Sequence, residues 1–267
     1  MQSSEYEGEQ LIDDMRTVSV EANKSSARAS SLLRLSGLGR LSRANGLRLK
    51  NGDVIVAING EIFNGNENDF NEALTLEDVD ARTLVTISRG MVLFDVLTAG
   101  PLGGEYEFAE PELANDITQA FQTYQVDAID RYEPFEVMRK INRECLVFSA
   151  VPVQLPYVFP AVWLLQNRIW EPMFAVIAAY ALAIVVHPLL FALIYVLTCV
   201  YFGRGQVGIL RSYGLFHEHT LWLCVAARSI EQAQAICRQI DPRCKFRFSH
   251  VGPPAPPEAN DEDEASN

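Results

Sequence analysis

The chain has 267 residues, 49% of them hydrophobic, and a net charge of −12. Residues 1–138 hold 24 acids against 11 bases, whereas 139–170 hold four bases against one acid and 204–250 seven against three. An acidic half without a dense basic patch excludes nucleic acid as a partner. The start MQSSEYEGEQ has neither the basic nor the apolar region of a signal peptide, so the amino terminus is expected in the cytoplasm.

Residues 1–31 are polar and Ser-rich and read as a disordered lead-in. VIVAI (54–58) is a short apolar strand closed by Asn59-Gly60, a dipeptide that tolerates positive φ. Asn68 is placed to cap a short helix on which Phe70, Ala73 and Leu74 share a face. LVTISRGMVLFDVL (84–97) reads as two strands about a turn at Arg89-Gly90. Residues 101–146 form an acidic linker and helix. The helix is expected over 115–144, capped by Asn115 or Asp116, with Ile117, Ala120, Phe121 and Tyr124 at helical spacing and Pro134 as its break or kink.

The string NGLRLKNGDVIVAINGEIF (45–63), followed by a short helix and a hairpin, resembles a bacterial PDZ domain over about residues 32–98. The carrying residues are Gly46-Leu47, Gly52-Asp53, the apolar strand and Asn59-Gly60. The resemblance implies a small barrel-type fold that binds an extended peptide between an edge strand and a helix, with a Gly-rich loop at the peptide carboxylate. Mapped onto this chain, that gives Gly37, Leu38 and Gly39 as the loop and Phe70 and Ala73 as groove residues. Only five residues separate Arg40 from Gly46, too few for the two strands expected there. Two readings stay open: the triplet is a plain turn with the edge supplied from before Leu32, or the groove is degenerate.

Residues 147–172 are poor in charge and carry Pro152, Pro156 and Pro160, which suits an interfacial approach better than a straight span. Trp163 and Trp170 fit an aromatic anchor at headgroup level, or buried packing. The run 173–202 then holds thirty residues without an Asp, Glu, Lys or Arg. As one helix it would reach about 45 Å, against a hydrocarbon core of about 30 Å. His187-Pro188 sits at its midpoint, allowing either a kinked single span or a hairpin of two short spans. Basic residues on both flanks (Arg139, Lys140, Arg143 and Arg168; Arg204, Arg211 and Arg228) favour the hairpin, with both termini cytoplasmic.

After the run, LWLCVA (221–226), SIEQAQAICRQI (229–240) and KFRF (245–248) read as strand, helix, strand, with Ser229 and Gln232 as a capping box. PPAPPEANDEDEASN (253–267) is a disordered acidic tail. The entry VFPAVWLLQNRIW, the uncharged hairpin, the aromatic-glycine exit Tyr201 to Gly203 and the segment ARSIEQA together resemble, over about residues 155–240, a family of short bacterial inner-membrane proteins of uncharacterised function.

Catalytic signatures are missing. His217 and His219 are separated by one residue, not by the His-Glu-x-x-His spacing of zinc proteases, and there is no Gly-x-Ser-x-Gly. The five cysteines form no CxxC pair and are expected as reduced thiols, and no metal or cofactor is expected. The expected fold class is α+β: a small PDZ-like β-barrel-type domain (32–100), an α-helical membrane hairpin (173–203) and a short cytoplasmic αβ segment (204–252). The expected protein is a multi-pass bacterial inner-membrane adaptor, not an enzyme, whose partners are membrane lipid and a protein or peptide. The alternatives are an accessory subunit of a membrane transport or envelope complex and, third, a membrane-associated protease.

Overall fold

A computed structural model of the chain describes residues 31–75 and 82–256. The lead-in and acidic tail lie outside the described residues except for Ser31 and residues 253–256. The architecture is α+β, and the chain divides into two compact units, Met1–Tyr132 and Glu133–Asn267.

The first unit contains, in order, β1 (Leu33–Gly37), α1 (Arg43–Gly46), β2 (Val54–Ile58), β3 (Glu61–Ile62), α2 (Glu67–Thr75), β4 (Thr83–Arg89), β5 (Val92–Thr98), β6 (Glu105–Phe108) and α3 (Pro111–Gln122). Within this unit the strands form an open antiparallel row, β5-β4-β2-β1-β6, with β3 added to β2. Among the described residues the barrel-type closure expected from the sequence is not seen. Asn59 and Gly60 turn the chain at φ of 50° and 86°, and the Asn59 side chain accepts the Leu84 N–H at 2.9 Å, tying the turn to β4. The cap of α2 is Asn66 rather than Asn68. Its Oδ1 accepts from the N–H groups of Asn68 and Asp69, while Asp69 accepts from Asn66 N–H, a reciprocal arrangement that satisfies the helix start.

Two buried carboxylates lock this unit. Asp53 accepts both Nε and Nη2 of Arg89, at 2.8 and 2.7 Å, and the Lys50 N–H at 2.8 Å, so the Gly52-Asp53 step of the sequence anchors the end of β4 to the start of β2. Asp95 accepts from Thr86 Oγ1 and from Tyr124 OH, which fastens the chain after α3 to β4 and β5. α3 starts at Pro111, four residues before the expected cap, and buries Ile117 and Phe121 against Leu32, Val54, Val56 and Ala57.

The expected long helix ends at Gln122. The second unit opens instead with β7 (Glu133–Arg139) and β8 (Glu144–Ser149), and continues with α4 (Leu155–Val158), α5 (Pro160–Gln166), α6 (Trp170–Val186), α7 (Pro188–Phe216), β9 (Thr220–Ala227), α8 (Ile230–Ile240) and β10 (Lys245–Phe246). Pro134, expected to break a helix, lies near the start of β7, where a missing N–H is tolerated. Within this unit the strand order is β10-β8-β7-β9, parallel between β10 and β8 and antiparallel elsewhere. Ser229 caps α8 by accepting Gln232 N–H, while Gln232 Oε1 reaches back to Arg228 N–H.

His187 is extended between α6 and α7, and its Nδ1 accepts the Leu189 N–H at 3.1 Å, capping α7. The two helices fold back on each other: Tyr180 and Thr198 share a hydrogen bond, and Tyr180 packs on Phe191 and Tyr195. The hairpin is present, but it corrects the expected multi-pass placement with both termini cytoplasmic. Among the described residues only α7 is long and apolar enough to cross a membrane. α6 has 17 residues, about 25 Å against a core of about 30 Å.

The C-terminal half of α7 also belongs to the folded unit. Arg211 donates through Nε (2.7 Å) and Nη2 to Glu136 on β7, a carboxylate 5% exposed. A Cβ at Gly214 would collide with Met138 of β7, and one at Gly203 with the Tyr157 ring. Trp163 is buried with Leu164, Ile169, Met173, Val176 and Phe202, whereas Trp170 is exposed and stacks on Phe174.

Replacing Arg211 by Met leaves Glu136 buried without its cation. Because Arg211 is half-exposed, the expected loss is about 2–3 kcal/mol, at or below the usual range for a broken buried pair. Chemical denaturation of Arg211→Met beside Glu136→Leu/Arg211→Met checks this: the double variant should recover most of the loss.

Candidate functional site

β6 is the feature of the first unit with an open side. Among the described residues it pairs with β1 only, antiparallel and in the register Leu33↔Phe108, Arg34↔Glu107 and Leu35↔Tyr106. Ala109 N–H donates to Leu32 O at 2.8 Å. Antiparallel alternation then points the N–H and C=O of Tyr106 and Phe108 away from β1. Side chains alternate too: Tyr106 and Phe108 share one face, Glu105 and Glu107 the other.

The strand is introduced by Leu102-Gly103-Gly104. Leu102 is fully buried, and Gly103 and Gly104 have φ of 68° and 140°, the second in a region that essentially only glycine occupies. A Cβ on Gly104 would lie 2.9 Å from Gly37 O. α2 stands beside β6, with Phe70 packing edge-on against Tyr106 at 5.6 Å between ring centroids. Burial, and secondarily the charge of Glu67, pushes the Tyr106 phenol up to about 12, and its hydroxyl has no hydrogen-bond partner among the described residues.

The residues named from the sequence are partly brought together here. Gly37 ends β1 opposite Glu105, and Leu38 approaches Gly104. Gly39 instead closes the turn into α1, its carbonyl accepting from Ser42 N–H and Oγ. The triplet is therefore a strand end and a turn. Phe70 is fully buried and Ala73 half-buried on α2. Gly103, Gly104, Tyr106 and Phe108 fall outside the residues expected at the site, because 101–146 reads in sequence as linker and helix. The available signal was a Gly-Gly step ahead of the alternating Glu-Tyr-Glu-Phe.

In the second unit, a cavity of about 650 Å³ opens between α6 and α7 at the base of the hairpin. Beyond it both helices present large apolar side chains to solvent, with Val185 83% and Leu189 74% exposed. A much smaller cavity, about 40 Å³, is lined by Lys140, Glu144, His217, His219 and Arg247. His217 Nε2 and His219 Nδ1 are buried there without hydrogen-bond partners among the described residues. Among the described residues no group of three or more His, Cys, Asp or Glu is disposed to hold a metal ion, and the five cysteines are free.

No family model, curated protein or solved structure matches this chain.

Burial, reinforced by Lys140, holds the His219 imidazole below its ordinary value near 6.5. Since the unfolded chain then takes up the proton first, the stabilising effect is intact above about pH 6.5 and is lost as pH falls from there through the lower folded value. Glu144, Arg247 and His217 face the same cavity. Urea midpoints of the second unit measured from pH 7.5 to 5 should fall with acidity, and more steeply in the wild type than in His219→Gln.

Proposed function

We propose that the protein is a non-enzymatic, PDZ-like adaptor that binds an extended peptide along β6 and associates with a lipid membrane through its apolar helical hairpin. The observation that carries the peptide site is the outward N–H and C=O set of Tyr106 and Phe108, on an edge strand flanked by α2 and preceded by two positive-φ glycines. An added strand uses such main-chain groups for affinity and alternate side-chain contacts for specificity. Glu105 lies on the strand and Glu67 of α2 stands near Tyr106, while Glu107 already faces Arg34 at 3.9 Å. The ligand is therefore an extended segment carrying Lys or Arg, and salt should weaken it.

The hairpin supports the lipid partner by a different route. Phe174, Leu182, Val185, Val186, Leu189 and Leu193 are exposed on it, an apolar area larger than scattered surface residues produce and one that marks an interaction surface. Shallow insertion of the hairpin needs no double crossing, in keeping with the length of α6.

Full-length protein titrated with fluorescent peptides selected from a random carboxy-terminal library should bind basic, extended sequences. Phe108→Pro removes one outward donor while leaving the β1 ladder intact, and should weaken binding about five- to tenfold, the worth of one backbone hydrogen bond. Binding unchanged in Phe108→Pro would sink the β6 site. In vesicle flotation, Val185→Asp/Leu189→Asp should shift the protein from the lipid fraction to the soluble one, and equal flotation of variant and wild type would remove the hairpin from the membrane role.

A further inference from the structure

The second unit holds a group of buried thiols that neither β6 nor the hairpin uses. Cys145 on β8, Cys237 on α8 and Cys244, the residue before β10, are 2%, 0% and 0% exposed. Strand register brings the first and last together. β10 runs parallel to β8 with Phe246 opposite Cys145. Paired residues share a face, and so do residues two apart on an extended chain, which sets Cys244 on the face of Cys145. The Arg143 carbonyl fixes the approach by accepting both the Lys245 N–H at 2.8 Å and the Cys145 thiol at 3.6 Å. The Cys145 and Cys244 side chains are hydrogen-bonded to each other. Two cysteines on neighbouring strands whose sulfurs already meet can be bridged with little backbone movement.

That hydrogen bond makes the pair unequal. Cys145, its donor, is held protonated well above the ordinary thiol range, and burial acts in the same direction. Accepting the bond brings the Cys244 thiol below its ordinary value, with the Arg139 and Arg238 charges helping and burial and Asp241 opposing. Burial pushes the Cys237 thiol up, so it stays protonated. Cys244 is therefore the nucleophile of the group and Cys145 the thiol beside it. Access comes from the edge: β10 has two residues and, among the described residues, pairs with β8 only. The chain beyond it is tied down by side-chain bonds from Gln234 and Arg238. Such an edge opens locally at lower cost than the whole unit, which admits a small oxidant.

We propose that Cys145 and Cys244 form a peroxide-sensitive dithiol site that closes to a reversible disulfide and fastens β10 to β8. The Cys244 thiolate attacks one peroxide oxygen. An S–O bond forms, the O–O bond breaks, and the hydroxide released takes up the proton that Cys244 gave up, leaving as water. The Cys145 sulfur then attacks the Cys244 sulfenic acid, forming the S–S bond and expelling hydroxide, which leaves as water with the Cys145 proton. Two thiols and one hydrogen peroxide thus give one disulfide and two waters; each sulfur gives up one electron and the peroxide gains two. A dithiol reductant reverses the change by exchange.

The test treats full-length protein under native conditions with one equivalent of hydrogen peroxide, quenches it by alkylation in urea, and maps the thiols by mass spectrometry without reduction. The expected product is a Cys145–Cys244 linkage that dithiothreitol removes, with Cys237 alkylated. Cys145→Ser should leave Cys244 as a sulfenic acid that dimedone traps. Cys244→Ser should slow oxidation of Cys145 about tenfold or more, because the thiolate is lost. Cys237→Ser should form the linkage as the wild type does. A wild-type linkage through Cys237, oxidation confined to Cys199 or Cys224, or a linkage that forms only after urea unfolds the protein overturns the site. The deciding map is that of the wild type, so a variant that fails to fold leaves the test intact.

Discussion

The buried carboxylate of Glu136 governs how the second unit uses its most apolar segment. Glu136 lies on β7 and is 5% exposed, so its charge is largely withdrawn from water and needs a cation. Arg211 supplies it from α7, and once that bidentate pair forms, the last turns of α7 are held on the sheet. Gly214 then permits the close approach to Met138 that the pairing requires. The long helix is thus divided: its last turns are held on the sheet through Arg211 and Gly214, whereas the turns before Arg204 expose Leu189, Leu193, Val196 and Leu197.

The two units leave different physical demands unmet. In the first, buried polar groups such as Asp53 and Asp95 are fully engaged, and what remains open is a short run of backbone donors and acceptors along β6. Water can satisfy those groups, so the edge is stable alone and still available for strand addition. In the second unit the open surface is apolar side chain, which water does not satisfy and which therefore favours lipid or another apolar partner. A backbone edge suits an extended polypeptide, while an apolar hairpin suits a bilayer or another apolar partner. The proposed adaptor role draws on both kinds of surface.

Local chemistry was legible from the sequence where a feature depends on adjacent residues. Asn59-Gly60, the turn around Gly90, the capping role of Ser229 and the break at His187-Pro188 all arise within four residues of each other, and each appears where the sequence places it. Features set by distant partners were not. β6 is a strand because it meets β1, some seventy residues earlier, and nothing in Glu-Tyr-Glu-Phe announces that pairing. β7 was hidden because Glu136 and Met138 are buried together with Phe135 and Val137, so its two faces do not alternate between apolar and polar. Asn66 and Asn68 are chemically equal as caps, and the choice falls to Asn66 through the reciprocal bond that its N–H donates to the Asp69 carboxylate.

The multi-pass expectation failed for the same reason. It counted basic residues on both flanks of the apolar run as signals of membrane orientation, but several of those charges are spent inside the second unit. Arg139 pairs with Asp241, Lys140 with Glu144 and Arg211 with Glu136. A cation held by a neighbouring carboxylate stabilises a fold, and its net charge no longer reports on the side of a membrane.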